Sequence, residues 1–483
     1  MPAIDRIIPR RLVVNGLAVF GGEAATRLTT LAMALIVARR FGADALGQYG
    51  YAVALTSILL LVPDFGLHMQ AVRELATTPS RLGRVLGMMY ALKSCLAIAV
   101  IVFVLTLGFL GGSDRTRRNL LFILLLRLLF QTFSQGIMSV FKAHEQMHYI
   151  AVQQSINALF TFAWAGIALL THAHLETMVL ALIVGQVAET WMGWRLLRAN
   201  FIKGIPLEIR WLDLKPMVLA AAPIGAAAVL QALHLRLDVL ILSRYVPNRE
   251  LGNFQAAASF LVVTYLGASL GMTVLFPRLS RELREDRGSA VRSVEGILKY
   301  AILLATCGSS LVWLGAPQLL RLTYGSDLGG ATGALRIVAG ALPLVLLNSI
   351  LFYVFVALDR PVVYFSALVV GIIGGGLLGM ILSARFGATG AAWADVVREG
   401  MVSSIFLSNL AWGKCAPRAG RCLSRVLAAG IVLAAAAVAF HRWVDAGFPW
   451  PAIWLLIVLT GSVLGLGLPG REDWRPVITE DSL

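Results

Sequence analysis

The stretch ATGALRIVAGALPLVLLNSILFYVFVA, residues 331–357, decides the class of fold. It contains one charged residue, Arg336, and is longer than the about 20 apolar residues that a helix needs to cross the hydrocarbon core of a bilayer. A helix also satisfies every backbone polar group within the segment, as a lipid environment requires. The stretch therefore predicts a transmembrane helix, and similar runs recur along the chain.

The overall composition agrees with many such spans. Of the 483 residues, 58% are hydrophobic and 14% are charged, whereas an average soluble domain has roughly 45–50% and roughly 25%. One water-soluble core cannot hide this excess, because cores stop growing at about 250–300 residues. Four cysteines without a CxxC pair support neither a disulfide scaffold nor a metal site. The composition thus predicts an all-α integral membrane protein.

The apolar runs predict fourteen transmembrane helices. They lie at 12–38, 45–70, 84–110, 118–141, 149–171, 176–198, 216–243, 251–276, 296–320, 331–357, 361–384, 389–411, 423–441 and 450–468.

Lys and Arg are distributed unevenly between alternate connections. The segments on the side of the N-terminus, among which Lys93 is counted, hold more than twice as many of the 41 Lys and Arg residues as the segments on the other side. Cytoplasmic loops of membrane proteins carry this excess, so both termini are predicted to be cytoplasmic. The net charge of +15 has the same origin. No nucleic-acid partner is expected, because no soluble domain remains to present a basic face.

The connections contain no signature of an ATP-driven or catalytic protein. The sequence has neither a GxxxxGK[ST] phosphate loop nor an HExxH zinc motif. Any transport is therefore predicted to be secondary or passive, and no enzymatic activity, catalytic residue, metal or cofactor is expected. Its energy source, if it has one, is a proton or sodium gradient, and the sequence leaves that choice open.

A weak repeat relates the two halves of the chain. Leu46-Gly47-Gln48-Tyr49 opens the second predicted span, and Leu251-Gly252-Asn253-Phe254 opens the eighth. Six spans separate the copies, which indicates parallel six-helix repeats around a central cavity. The predicted organisation is an N-lobe at 1–198, a cytoplasmic linker at 199–215, a C-lobe at 216–411, and two C-terminal helices with a tail at 412–483.

Ionisable residues inside the spans are the candidate functional residues, because such groups are costly in lipid and usually face water, a ligand or each other. Arginine offers a planar fork that matches phosphate oxygens, and amides offer the donors and acceptors that sugars need. The acidic residues would couple transport to an ion gradient or neutralise the arginines. The alternative is that these groups are ion pairs that fix helix packing, with Glu189 at the membrane interface. The candidates for substrate binding are Arg27, Arg127, Arg236, Arg398, Gln131 and Asn157, and those for ion coupling or charge balance are Glu23, Asp238, Asp395 and Glu399.

Several stretches together resemble a known family, the oligosaccharide flippases (Wzx-type polysaccharide transporters) of the multidrug/oligosaccharidyl-lipid/polysaccharide exporter superfamily. The resemblance covers nearly the whole chain. The stretches that carry it are Phe41-Gly42-Ala43-Asp44-Ala45-Leu46-Gly47-Gln48-Tyr49-Gly50, Asp64-Phe65-Gly66-Leu67 with Arg73-Glu74-Leu75, Arg236-Leu237-Asp238-Val239-Leu240-Ile241-Leu242, Leu251-Gly252-Asn253-Phe254-Gln255-Ala256-Ala257, and Phe386-Gly387-Ala388-Thr389-Gly390-Ala391-Ala392.

The resemblance implies a V-shaped pair of six-helix lobes that works by alternating access in a bacterial inner membrane. It implies export of an undecaprenyl-diphosphate-linked oligosaccharide for O-antigen, capsule or exopolysaccharide biosynthesis, with membrane lipid and polysaccharide polymerase or assembly proteins as partners. Three alternatives stay open: a cation-coupled multidrug exporter of the same superfamily, a membrane-embedded glycan polymerase or ligase, and a scaffold or receptor without transport activity.

Overall fold

A computed structural model describes residues 10–110, 115–202, 214–285 and 287–412. Every regular element within these ranges is helical, including 3₁₀ turns at Pro79–Arg81 and Ser326–Ala331. The helices are α1 (Arg10–Leu59), α2 (Leu61–Asp64), α3 (Leu67–Thr77), α4 (Leu82–Leu110), α5 (Arg115–Ala143), α6 (Met147–Leu170), α7 (Leu175–Val179), α8 (Ala181–Asn200), α9 (Leu214–Leu242), α10 (Asn248–Glu285), α11 (Arg287–Leu314), α12 (Ala316–Tyr324), α13 (Thr332–Ala357) and α14 (Pro361–Trp412).

The described helices have the lengths and compositions of membrane spans. Nine helical stretches in these ranges are long and apolar enough to cross a membrane, which agrees with an all-α, multi-pass membrane protein. Ala24–Asp64, with 41 residues, and Pro361–Leu410, with 50 residues, each cover two predicted spans. At about 1.5 Å per residue, each is about twice the thickness of a hydrocarbon core of about 30 Å. The count of fourteen stays a prediction, since the spans at 423–441 and 450–468 lie outside the described residues.

Glycines with positive φ break the two longest helices. Gly42 in α1 has φ 82°, and Gly387 in α14 has φ 56°. Each follows a phenylalanine and precedes an alanine. Glycine adopts this region at little cost because it has no Cβ. The breaks fall between the spans predicted at 12–38 and 45–70 and between those predicted at 361–384 and 389–411.

The two halves of α14 pack against each other as an antiparallel pair. A Cβ on Gly371 would lie 2.8 Å from Val402, and a Cβ on Gly375 would lie 2.7 Å from Arg398. The residue number rises from 371 to 375 in the first half while that of its contact falls from 402 to 398 in the second half. The two halves are therefore antiparallel, and the chain reverses at Gly387. Small residues at such an interface allow two membrane helices to approach closely.

Two predicted spans are interrupted. The span predicted at 45–70 was expected to be one helix, but the structure divides it into the end of α1, α2 and α3. Phe65 and Gly66, with φ 30° and 78°, leave the helical region there. The span predicted at 296–320 stops before Gly315, and α12 begins with Pro317 in its first turn, a position where proline is favoured. Hydropathy averages over such breaks and therefore missed them.

The chain divides into two compact units, Met1–Gln255 and Ala256–Leu483. In the first unit an apolar core includes Leu75, Met89 and Phe141. In the second unit another core includes Phe355 and Phe406. The first unit contains α9 and the first two turns of α10, so it extends beyond the N-lobe predicted at 1–198. The lobe boundaries stay a prediction.

The two copies of the sequence repeat meet inside the first unit. A Cβ on Gly47 would overlap the carbonyl group of Asn248, and a Cβ on Gly252 would overlap the carbonyl group of Ala43. The same offset of sequence relates Gly47 to Gly252 and Ala43 to Asn248. The contact is therefore reciprocal, as expected when two similar segments are related by an approximate two-fold axis. This geometry supports the internal repeat.

Candidate functional site

A buried carboxylate joins three helices of the first unit. The Ser134 hydroxyl of α5 donates to Glu189 Oε1 at 2.5 Å, and the Asn157 amide of α6 donates to Glu189 Oε2 at 2.6 Å. The Gln153 amide donates to the backbone carbonyl of Glu189 at 3.4 Å. Glu189, on α8, is 6% exposed. It is therefore enclosed by helices, and its depth in the membrane stays a prediction.

Residue spacing explains why these polar groups converge. Gly185, Glu189 and Gly193 recur every four residues and so occupy one face of α8. A Cβ on Gly185 would lie 2.6 Å from the Asn157 carbonyl oxygen, and a Cβ on Gly193 would overlap the Gln153 side chain. The glycines thus let α6 approach α8 closely enough for its amides to reach the carboxylate. We name the contacts of Glu189 with α5 and α6 the polar seam.

Two of the predicted arginines approach one tyrosine. The guanidinium groups of Arg127, on α5, and Arg236, on α9, both lie within electrostatic range of the Tyr49 hydroxyl on α1. Tyr49 is 2% exposed, and its hydroxyl has no hydrogen-bond partner among the described residues. The buried Nε of Arg127 likewise has none there. We name Tyr49, Arg127 and Arg236 the arginine–tyrosine cluster.

The arginine–tyrosine cluster is electrostatically linked to the polar seam. Arg127 interacts with the Glu189 carboxylate as well as with Tyr49. Glu189 also accepts hydrogen bonds from Ser134 and Asn157, so its charge is shared among several donors. Because Glu189 does not compensate Arg127 alone, the two guanidinium groups of the cluster keep positive charge and hydrogen-bond donors. The amide groups of the polar seam lie beside them. That combination suits an anionic, sugar-bearing group.

The second unit has its own buried polar group around Glu399 of α14. The Tyr265 hydroxyl donates to Glu399 Oε1 at 3.2 Å, and the Asn348 amide donates to Oε2 at 2.8 Å. The Ser403 hydroxyl donates to the Asn348 carbonyl oxygen at 2.8 Å. Glu399 is 1% exposed. These bonds connect α10, α13 and α14 around the buried carboxylate.

Arg398 differs from Arg127 and Arg236. It is 3% exposed and forms an ion pair with Asp395, which is 1% exposed and lies one turn earlier on α14. Its charge is therefore compensated within its own helix. Among the predicted arginines, this one has the environment expected of a packing ion pair.

The structure places the other predicted site residues as follows. Arg27, on α1, and Gln131, on α5, are half-buried, and Asp238, on α9, is buried. The side chain of Glu23 lies outside the described residues. Through Tyr49 and Glu189 the structure brings Arg127, Arg236 and Asn157 into one connected region.

Sequence reasoning missed Tyr49 and Asn348. Tyr49 lies within one of the stretches that indicated the family. It was interpreted there only as part of the family pattern, and its hydroxyl was not considered as a polar group of the site. Asn348 was detectable, because it is the one amide in the predominantly apolar stretch 331–357. A lone amide at the middle of a span has to find a partner, and Glu399 provides it.

The fold and the buried polar groups define a multi-pass, all-α membrane protein of the transporter class. The chain belongs to the family described as "Polysaccharide biosynthesis protein", whose model matches residues 12–282.

Comparison with individual proteins agrees with this family. The chain is 23% identical over 369 residues to "Probable low-salt glycan biosynthesis flippase Agl15" of Haloferax volcanii, covering 74% of this chain and 75% of the relative. It shares a fold with the lipid II flippase MurJ in an inward closed conformation, with a TM-score of 0.72, 14% identity, and coverage of 96% and 99%. An inward-facing MATE family transporter of the MOP superfamily has a TM-score of 0.61, 14% identity, and coverage of 80% and 94%.

Proposed function

We propose that this protein is a flippase that moves a lipid-linked oligosaccharide across the membrane by alternating access, for polysaccharide biosynthesis. The observation that carries the proposal is the arginine–tyrosine cluster, where Arg127, Arg236 and Tyr49 converge inside apolar spans. The name of the Haloferax volcanii relative, a probable glycan biosynthesis flippase, supports the same function. So does the fold shared with MurJ over nearly the whole chain.

The chemistry of the cluster fits a diphosphate with an attached sugar. A charged head group has to cross about 30 Å of hydrocarbon, while a polyprenyl tail can stay in lipid. Two guanidinium groups can each bind phosphate oxygens through parallel N–H donors, which an ammonium group cannot do. Gln131 and Asn157 supply amides for sugar hydroxyl groups. Arg27 stays a candidate for the same role, whereas Arg398 is paired with Asp395.

The finer features of the proposal follow from the sequence. The substrate is an undecaprenyl-diphosphate-linked oligosaccharide, and the protein lies in a bacterial inner membrane with both termini in the cytoplasm. Residues 1–198 and 216–411 form the two lobes. A polysaccharide polymerase or assembly protein receives the exported unit. The excess of Lys and Arg on the predicted inner side supports the orientation.

Substitution of the two cluster arginines tests the proposal. In a strain that lacks its oligosaccharide flippase, Arg127→Ala and Arg236→Ala should abolish polysaccharide export. Arg127→Lys and Arg236→Lys should reduce it only in part, because lysine keeps the charge but loses the fork. The matched control is Arg198→Ala, an exposed position at the end of α8. Membrane levels are compared by immunoblot.

Full export by both alanine variants at normal membrane levels would contradict the role of the cluster. Purified protein in vesicles gives the direct measurement, namely whether a fluorescent undecaprenyl-diphosphate disaccharide becomes accessible in the opposite leaflet. Loss of that movement in the alanine variants but not in Arg198→Ala is the expected result.

A further inference from the structure

A buried carboxylate, ammonium group and imidazole form one hydrogen-bonded group in the first unit. The Lys93 ammonium donates to Asp64 Oδ1 at 2.5 Å, and His68 Nδ1 lies 2.6 Å from Asp64 Oδ2. Lys93 is 0% exposed and Asp64 is 4% exposed. The His68 side chain is 28% exposed and so connects the buried pair to the surface. Neither the arginine–tyrosine cluster nor the polar seam uses these residues.

The group lies deep along its helices. Lys93 was counted with the cations of the cytoplasmic connections, which the structure corrects. The residue lies three turns into α4, about 16 Å along the axis from Leu82 at about 1.5 Å per residue. That distance is about half of a hydrocarbon core of about 30 Å. An ionisable group at this depth is costly and is usually retained for function.

The group sits directly before a break that touches another helix. After Asp64, Phe65 and Gly66 adopt positive φ values. A Cβ on Gly66 would lie 2.7 Å from the backbone nitrogen of Gly225, and a Cβ on Gly225 would lie 2.6 Å from the carbonyl oxygen of Phe65. The turn therefore packs backbone to backbone against α9. A change in the charge of Asp64 acts on the residue that leads into this contact.

The charged surroundings of Asp64 are simple. Its electrostatic partners are Lys93 from α4 and His68 from α3. Residues 45–63, which precede it, contain no charged side chain. The other charged or titratable groups with described side chains on the elements packed around α2 and α3 are Arg27, Arg39, Arg40, Asp44, Tyr49 and Tyr51 on α1, Arg73 and Glu74 on α3, Arg81 in the 3₁₀ turn, Arg84, Tyr90 and Cys95 on α4, Arg115, Arg117, Arg118, Arg127 and Lys142 on α5, and Lys215, His234, Arg236 and Asp238 on α9.

We propose that Asp64, His68 and Lys93 form the proton-exchange site that couples translocation to a proton gradient. This inference rests on the proposed flippase function and selects the proton over sodium. The carboxylate already binds an ammonium group on one oxygen and an imidazole on the other. A metal cation would have to share that carboxylate with the positive charge of Lys93, whereas a proton can be passed among the three groups.

One proton is exchanged in each cycle. The proposed cycle starts from a state in which the charges of Asp64 and Lys93 cancel and the His68 tautomer that carries its hydrogen on Nδ1 donates to the carboxylate. Water delivers a proton to His68 Nε2, and the proton on Nδ1 passes to Asp64 Oδ2. The group then carries one net positive charge, and the ammonium of Lys93 loses its anionic partner. A buried uncompensated cation is unfavourable, so the conformation that admits water between the turn and α9 gains stability.

A gradient experiment in vesicles separates coupling from a purely structural ion pair. The variants are Asp64→Asn, Lys93→Met, and both together, with Asp44→Asn as an exposed control carboxylate on α1. Removing one partner leaves a buried group unpaired, whereas neutral replacements of both are usually well tolerated. The double variant is therefore expected to fold. The probe is a fluorescent undecaprenyl-diphosphate disaccharide, and its distribution between the leaflets is measured under a one-unit pH gradient.

One proton per substrate supports up to about tenfold enrichment of the probe in one leaflet, since one pH unit corresponds to a factor of ten. We expect the wild type and Asp44→Asn to approach that enrichment and the double variant to give a ratio of about one. A double variant that still enriches the probe like the wild type would overturn the proposal and leave a structural ion pair. A wild type that moves the probe without responding to the gradient would also overturn it.

A second measurement does not depend on the substrate. In a protein whose native cysteines are replaced and that carries Ile224→Cys, whose side chain lies against Gly66, the rate of labelling by a water-soluble maleimide reports whether water enters between the turn and α9. Acidification from about pH 8 to about pH 6 should lower this rate less than in the same variant combined with Asp64→Asn and Lys93→Met, a comparison that corrects for thiol chemistry. Equal pH dependence in both backgrounds would overturn the coupling site. If the wild type moves no probe at all, the flippase function fails, and this measurement still decides the site.

Discussion

At the scale of the residue, arginines that look alike in the sequence have different environments. Arg127 and Arg236 converge on Tyr49, whose hydroxyl has no hydrogen-bond partner among the residues that the structure describes, whereas Arg398 is paired with Asp395. Hydropathy identifies all three as charged residues within spans. It does not give the rotation of one helix against its neighbours, and that rotation decides which groups meet. The identity of candidate residues was thus predictable, and their partners were not.

The ion pair of Arg398 gives a prediction about stability. Arg398→Met should destabilise the protein by about 3–5 kcal/mol, because it removes one charge of a buried ion pair and leaves the Asp395 carboxylate less well compensated. Asp395→Asn together with Arg398→Met should recover most of this loss. Thermal unfolding of the detergent-solubilised protein, followed by size-exclusion profile, measures both effects. Equal melting temperatures for the wild type and the single variant would show that the pair is not needed for stability.

At the scale of the element, some helix breaks are encoded by recognisable residues and others by context. Gly42 and Gly387 separate spans that the sequence already divides. The break at Phe65–Gly66 lies inside a run predicted as one span, because a phenylalanine with positive φ has no sequence signature. Backbone contact with Gly225 on a distant segment holds it. A hydropathy window averages over neighbouring residues in the sequence and therefore cannot detect a contact between distant segments of this kind.

The crossing of the two repeats gives a prediction about close packing. Gly47→Ala and Gly252→Ala each place a Cβ against a backbone carbonyl group of the other segment, so both should lower stability and to a similar extent. The control is Gly267→Ala on α10, where a Cβ meets nothing within 4 Å among the described residues. Thermal unfolding compares the three. A marked difference between the first two would argue against the approximate two-fold relation of the repeats.

At the scale of the whole molecule, composition already determined the class. With 58% hydrophobic residues, the chain had to be a multi-pass helical membrane protein, and the nine candidate spans of the described residues agree. Sequence did not show that Gln255, inside a predicted span, ends the first compact unit. The first turns of α10 belong with α1 because Gly252 packs against Ala43, a contact between residues far apart in the chain. Composition thus predicts that the chain lies in a membrane, whereas contacts between residues far apart in the sequence determine where one compact unit ends and the next begins.

The orientation of the molecule gives the last prediction. The imbalance of Lys and Arg predicts that both termini are cytoplasmic, and this prediction requires an even number of spans. A reporter fused after Gly325, between α12 and the following 3₁₀ turn, should then be extracytoplasmic, whereas one fused at the C-terminus should be cytoplasmic. Paired alkaline phosphatase and fluorescent protein fusions measure both positions. The fusion after Gly325 tests the described spans, and the C-terminal fusion tests residues beyond 412. With Gly325 extracytoplasmic, an extracytoplasmic C-terminus would require an even number of crossings after Gly325 instead of the predicted five, and the predicted pair at 423–441 and 450–468 would then be wrong.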